Sequence, residues 1–525
     1  MTAPMVPVLA VELTPAVGGD VIRVASQPYI HPSAPGPFRD RILQNSRLRR
    51  EIFADGLTFG AGSNDYGTLQ LANTDGFYDW IEDGDVDLYG GSAVFSLLPS
   101  ASSPWSSRKP LFSGRIGQPQ VSNTVDVRLL DDFALSLDKQ IAKRRFLGTN
   151  SGATGIEGGA DMKDQWYPVL EGRAFNCPVP WASTANLILC IADRAVAAIL
   201  VDAVDDQGAS LTRGVNRGSL AALQASTPAA GQWDYFLGDA TTPAYIRLGS
   251  SPAGTVTVTM RSGATASART AAQVWQRVLT SRAGIAAGAI SAADVAALDA
   301  LQPAEVGFWV DPGGAQIKDM LDLVASTAGA GYWQDRSGQW RIARIDLPSG
   351  TPAVTFRSLN SVDRPGAVGD VDIFTLEPEF TSRADGGRPY DLTRLRYARN
   401  HSVADKNSLA GVALDKADRL SKEWLETAYP AGVTEPENEC SADTAFAELA
   451  PAQAEAQRRD AIFGARRRRH TITTRLTPTL VDALDLNTVA RVFWPRYGFA
   501  DGPLVRVSAL EIDLLSLDAA VTVWR

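Results

Sequence analysis

Short runs of alternating apolar and polar residues, bounded by Gly, Pro, Asn and Asp, dominate this chain and predict strands. Residues 112–117 lead through a turn to 121–130, where Val125, Val127 and Leu129 share one face. Val256, Val258 and Met260 alternate with threonines, a composition suited to a pleated, half-buried surface. Residues 333–345 (WQDRSGQWRIARI) form a hairpin pattern with its turn at 335–338. Residues 504–524 give two more alternating strands, joined around 515–518. Helical spacing is rarer. Ser291 is placed to cap a helix carrying Val295, Leu298 and Leu301 on one stripe. Ile317, Met320, Leu321 and Val324 predict another, ended near Gly329. Residues 270–282, with Val274, Trp275 and Val278 inward, and a helix with Pro451 in its first turn running to about Gly464 complete the firmer set. Residues 405–425 also read as helical.

Breaks in the pattern divide the chain. A Gly-rich loop spans 147–161, and the units are expected at 1–200, 201–268 (small and β-rich), 269–370 (mixed helix and hairpin) and 371–525. At 525 residues, three or four domains are expected. A strand, turn and longer strand at 111–131 is echoed at 504–525, either as related barrels or as β monotony.

Composition narrows the function classes. Hydrophobic content of 45% and charged content of 21% are those of an ordinary globular protein. The formal charge of −9 disfavours nucleic-acid binding unless basic residues are segregated. The most apolar stretch, 187–201, is broken by Asp193 and Arg194, so no membrane span is expected. The first 13 residues contain Pro4 and Pro7 and lack a basic region, which argues against a signal peptide. Three cysteines, Cys177, Cys190 and Cys440, are too few for a secreted framework and point to folding in a reducing cytosol.

Candidate chemistry is thin. His31, His401 and His470 lie far apart, outside any metal-ligand spacing, and no cysteine has a neighbouring His to activate it. Asp83, Asp85 and Asp87 look like a calcium loop, but its sixth and twelfth positions fall on Leu88 and Val94, leaving at most an irregular cation site. The glycines of 147–161 match neither a P-loop nor a dinucleotide fingerprint. The paired carboxylates Asp131–Asp132 and Asp205–Asp206 would point to opposite faces of a strand. The basic run 466–470 (RRRRH) either offsets a helix dipole or contacts an acidic neighbour. The reading is therefore of no catalytic site, no metal and no cofactor.

Several blocks in order resemble the hub proteins of siphophage-type tails and of gene transfer agents. They are LFSGRIGQPQVSNTVDVRLLDDFALSLDKQI at 111–141, GGADMKDQWYPVLEGRAFNCPVPW at 158–181, 208–233 with 245–260, the segment IKDMLDLVASTAGAGYWQDRSGQWRIARI, and RVFWPRYGFADGPLVRVSALEIDLLSLDAAVTVWR at the end. The resemblance implies a mainly β, multidomain (α+β) subunit with two tube-like β-barrel domains, one within 1–200 and one within 371–525. It implies a homotrimeric, pseudo-sixfold baseplate or tail-tip ring at the distal end of the virion tail, assembled in the host cytoplasm. Its implied partners are a distal-tail or tail-tube ring, the tape-measure protein and fibre or tip proteins. Genomic DNA would pass through the lumen during ejection and viral entry without specific binding; contact of the 466–470 run with packaged DNA is a further option. Two other readings stay open. A receptor- or carbohydrate-binding tail protein would present Trp166, Tyr167 and Trp181 as a sugar platform; the alternative is that these aromatics pack a core or line a subunit contact. A tail-borne cell-wall hydrolase would need converging ionisable groups.

Overall fold

The computed structural model describes residues 6–525 apart from 45–46, 54–58, 84–85, 131, 150–154, 359–369, 380–387, 410 and 515. Its architecture is mainly β and multidomain, organised around two barrel-like sheets.

The first barrel is a nine-stranded sheet whose strands all lie within residues 8–130. Val8–Thr14 pairs antiparallel with Ile22–Ala25 on one side and Ser92–Leu98 on the other. The order continues through Lys109–Ile116, Thr124–Leu130, Thr68–Ala72 and Ile42–Gln44. At the opposite edge, Arg39–Asp40 runs parallel to Ile22–Ala25. The two edge strands are therefore separated in sequence by one residue, Arg41, and the sheet curls until it nearly closes on itself. Closure is held locally: the Ala72 N–H donates to the Arg41 carbonyl at 2.8 Å, and the Arg41 guanidinium forks onto Asp75 at 2.8 and 2.6 Å. Strict alternation turns Val125, Val127 and Leu129 inward, as predicted, to meet Leu69, Leu71 and Phe95.

The second barrel closes fully. Val489–Phe493, Val354–Ser358, Val371–Pro378, Arg469–Arg475, Asp518–Trp524 and Leu504–Asp513 follow one another round the ring, and the last pairs back to the first. Val354–Ser358 runs parallel to both its neighbours; the other pairings are antiparallel. A register shift between Val507 and Ala509 divides the long strand Leu504–Asp513. Its first half sends Val505 and Val507 into the second barrel's core. Its far half pairs with Arg47–Glu51, which carries Ser63–Asp65 on its outer side. Ile512, Leu514, Leu517 and Ala519 belong to the first barrel's core, so one strand is wall to both.

Between the barrels in sequence lies a sandwich of two five-stranded sheets. The apolar run 187–201 becomes Ile188–Ala192 in one sheet and Ile199–Asp206 in the other, with Asp193 and Arg194 at the crossing. A run buried on both sides thus reads as continuously apolar without spanning a membrane. No helix among the described residues is long and apolar enough to cross one. The mixed unit follows, with helices Ala271–Val278, Ala292–Leu301 and Ile317–Thr327 and the hairpin Ala330–Gln334 with Trp340–Arg344. Thr270 and Ser291 cap the first two by accepting from the Gln273 and Asp294 amides. Gly329 ends the third at φ +60°, where a Cβ would also run into Arg458 and Glu455. Leu449–Phe463, with Pro451 in its first turn, backs a three-stranded sheet of Leu425–Tyr429, Leu392–Tyr397 and Glu439–Asp443.

Some expectations give way. Residues 405–425 are not one helix: a single turn at Lys406–Ser408 is followed by the short helix Leu414–Leu420 and then by strand Leu425–Tyr429. Gly411, at φ +89°, breaks the segment, and Leu414 is 89% exposed while Leu409, Ala417 and Leu420 form a small buried cluster. Leu301 is half exposed rather than part of the helix's inner stripe. Strands also cross the expected unit boundaries. Arg47–Glu51 and Ser63–Asp65 join the C-terminal barrel, Gly60–Ala61 extends the mid-chain hairpin, and Val169–Pro178 joins the sandwich.

Candidate functional site

The barrels carry no lumen of their own. In the first, Phe112 sits 4.1 Å from Tyr66 and 5.5 Å from Phe95, ring centroid to centroid. In the second, Phe356, Val505, Val507, Val521 and Val523 are fully buried in one cluster. Among the described residues, packed side chains occupy both interiors. What the chain offers outward are strand edges, among them the largely exposed Thr212–Asn216 and Arg39–Asp40.

The units are locked together by buried charges. At the sandwich and the mixed unit, fully buried Arg282 meets Asp193 at 2.5 Å and Glu171 at 3.5 Å, while Arg277 reaches Glu171 at 2.7 Å. Burial works against the Arg282 charge, yet the two carboxylates hold its pKa above the usual value. In the second barrel's flank, Arg50 donates to Asp485 at 2.8 Å, with Arg336 at 3.8 Å. Burial would raise the Asp485 pKa, but these cations keep it below the ordinary carboxylate range. Arg469 lies between Glu51 at 2.5 Å and Glu379 at 3.1 Å. Removing one member of such a set strands a charge away from water, which is strongly destabilising.

The residues singled out in the sequence are scattered. His31 bonds Ser33 at 2.8 Å near the surface. His401 packs edge-on to Trp309 at 5.4 Å, and burial, then Arg399, pushes its pKa down to about 3. His470 lies against Phe499 at 4.8 Å, and burial followed by Arg525 and Arg468 lowers it to about 4. Cys177 and Cys190 are buried in the sandwich and Cys440 is half-buried; burial pushes all three thiols up, away from nucleophilic thiolate. Asp87 accepts from the Tyr89 amide at 2.8 Å, while residues 84–85 and the Asp83 side chain lie outside the described set. Asp131 is likewise outside it, and Asp132 opens the short helix Asp132–Leu137 rather than lying in a strand. Asp205 and Asp206 diverge as expected: Asp205 receives Lys416 and Ser210, and Asp206 receives the Ala253 and Gly254 amides. Among the described residues no three His, Cys, Asp or Glu side chains gather to hold a metal.

Trp166, Tyr167 and Trp181 form no platform. They are half-buried against three different cores; Tyr167 stacks on Phe146 at 3.9 Å and Trp166 lies under Arg145 at 4.0 Å. The described ends of the Gly-rich loop are tied down, Gly148 to Glu157 and Gly158 to Ala182. The basic run splits by role. Arg467 caps helix Leu449–Phe463 by donating to the Ile462 and Ala461 carbonyls, the dipole-offsetting role. Arg469 is the buried clamp, and Arg466 and Arg468 stay exposed. Sequence reasoning missed a cavity of about 220 Å³ where the sandwich, helix Ile317–Thr327 and the three-stranded sheet meet. Phe175, Trp309, Leu323, Trp424 and Phe446 line it, with Arg173, Arg399 and His401 alongside. Its walls come from distant segments, so no local pattern announces it.

No protein-family model matches the chain, and no curated protein matches it. Among solved structures, the chain is similar to a tail protein from Neisseria meningitidis MC58, with 9% identity and a TM-score of 0.37, covering 99% of this chain and 96% of that one. It is similar to the 43 kDa tail protein of prophage MuSo2 from Shewanella oneidensis at 10% identity and a TM-score of 0.40, covering 99% and 97%. A chain of the virion of a native gene transfer agent particle matches at 16% identity and a TM-score of 0.40, over 69% of this chain and 85% of that one. The structural neighbours of this fold are thus tail proteins and a component of a gene transfer agent particle.

Proposed function

We propose that this chain is a structural subunit of a phage-type tail: a hub that assembles as a homotrimeric ring at the distal tip. One observation carries the reading. Two barrels stand side by side in one chain, share the strand Leu504–Asp513, and have packed interiors. Three such chains in a ring present six barrels, matching sixfold to threefold symmetry, and the passage lies between chains rather than through any barrel. The buried charged joints suit a part that bears load as a rigid body. In this role the chain acts mechanically and not as an enzyme. Its neighbours are a tail-tube or distal-tail ring, the tape-measure protein and fibre or tip proteins. DNA passes the ring without specific contact. The sequence resemblance to tail hubs supports the same role, with the ring assembled in the host cytoplasm and carried in the virion.

The test is native mass measurement and negative-stain imaging of the purified chain across a concentration series. Closed threefold rings with a central opening are expected. A chain that stays monomeric at the highest concentration, or that clears peptidoglycan in a zymogram, overturns the proposal.

A further inference from the structure

Two charged features on different barrels remain without a role. On the second barrel, Arg466, Arg468, Arg469, His470 and Tyr497 line a cleft of about 340 Å³ together with Pro378 and Glu379. Arg469 is neutralised by Glu51 and Glu379. Arg466 and Arg468 are exposed, and Arg496 lies 4.9 Å over the Tyr497 ring. None of these three arginines forms an ion pair among the described residues. His470 is 1% exposed, yet its Nδ1 finds no hydrogen-bond partner. The cleft thus carries surplus positive charge and a buried polar atom left open, in a protein whose net charge is −9.

On the first barrel, Asp79 and Glu82 line one shallow depression beside Asn73 and Ser122, and Asp87 is exposed a few residues on. None of the three meets a cation among the described residues. The joint between the barrels within one chain uses neither feature. It is apolar, through Ile512, Leu514 and Leu517, with Lys109 on Asp482 at 2.8 Å at its side.

We infer that the Arg466–Arg468 cleft of one copy receives the Asp79 and Glu82 face of a second copy, forming a head-to-tail contact between second and first barrels. The inference rests on the ring reading above and names the surface that closes it. Complementary but distinct patches on one chain generate a heterologous contact, which closes into a ring when the rotation permits. Charge complementarity selects this occupant: carboxylates on a repeated, acidic subunit supply what the cleft lacks, and like-charge docking is suppressed. A nucleic-acid backbone is the competing occupant, and the test separates it.

The variants are R466E/R468E, E82K, and the three changes combined. All three positions are solvent-exposed, and unchanged melting curves confirm that each variant folds. Self-association is measured by sedimentation at low and high salt, alongside binding of a fluorescent DNA duplex. Each separate variant is expected to weaken association about tenfold or more, as close interfacial charge pairs do, and the combination to recover most of it. High salt weakens the wild type in the same direction. If the wild type associates and the variants match it, or the combination shows no recovery, this contact is wrong while the ring reading stands. If the wild type does not associate at all, the ring reading fails and takes the contact with it. If R466E/R468E abolishes DNA binding but leaves association intact, the cleft serves nucleic acid and the inference is overturned.

Discussion

The two barrels solve the same closure problem with different chain economies. The first takes every strand from residues 8–130 and nearly closes because its edge strands adjoin at Arg41. The second closes completely, but only by assembling segments from 354 to 524, two parallel pairings, and a flank borrowed from 47–65. Local pairing closes the first sheet, although Ile512, Leu514 and Leu517 from the C-terminal end complete its core. Dispersed closure makes the second depend on everything inserted between its strands. Two buried ion sets lie on the second barrel's side of this divide, where Glu51 meets Arg469 and Arg50 meets Asp485, while the Arg282 set ties the sandwich to the mixed unit. Long-range pairings require loop closure before they contribute stability, so such fixed points matter more there.

This contrast can be broken by experiment. The largest effects are expected from core truncation: Phe95→Ala in the first barrel and Phe356→Ala in the second each remove a fully buried ring, at a cost of about 3–5 kcal/mol. Hydrogen exchange distinguishes them. Phe356→Ala is expected to deprotect strand Arg47–Glu51 together with the C-terminal strands, and Phe95→Ala to spare the strands Val354–Ser358 and Val489–Phe493. Equal spreading from both sites would erase the distinction. Next comes Glu51→Ala, which leaves Arg469 buried with only Glu379 beside it and is expected to cost about 3 kcal/mol by chemical denaturation.

A smaller effect concerns pH. His470 is buried with a pKa lowered to about 4, so the unfolded chain binds its proton more readily. Its contribution is complete above the unfolded pKa near 6.5 and is lost as pH falls from there through about 4. His470→Gln should flatten the fall in melting temperature across that window; an unchanged slope rejects the assignment. Smallest is Arg41→Ala, whose partner Asp75 is exposed. It should quicken amide exchange at Ala72 with little shift in melting temperature.

Much of the fold was legible wherever pairing partners are close in sequence. Val125, Val127 and Leu129, the hairpin across 335–338, and the strands at 504–524 all announce themselves by alternation. The capped helices at Thr270 and Ser291 do so by their first turns. Arg47–Glu51 (RLRRE) was opaque because Arg47, Arg50 and Glu51 pair with residues more than 400 positions away. The single-helix reading of 405–425 failed because Gly411, at φ +89°, interrupts it. For the candidate site, RRRRH was visible as a concentration of charge. Its division into a helix cap at Arg467, a clamp at Arg469 and exposed cations at Arg466 and Arg468 depends on what packs around it, and no spacing encodes that.

The borrowed flank has a consequence for synthesis. Arg47 meets Glu511 across 464 residues, so on the ribosome the strand Arg47–Glu51 emerges roughly half a minute to a minute and a half before its partner exists. Until then the nascent strand lacks its C-terminal partner, and the first barrel lacks the core residues Ile512, Leu514 and Leu517. The alternating arginines of that strand then act as a guard, keeping it soluble and repelling its twin on a neighbouring polysome chain until the C-terminus arrives.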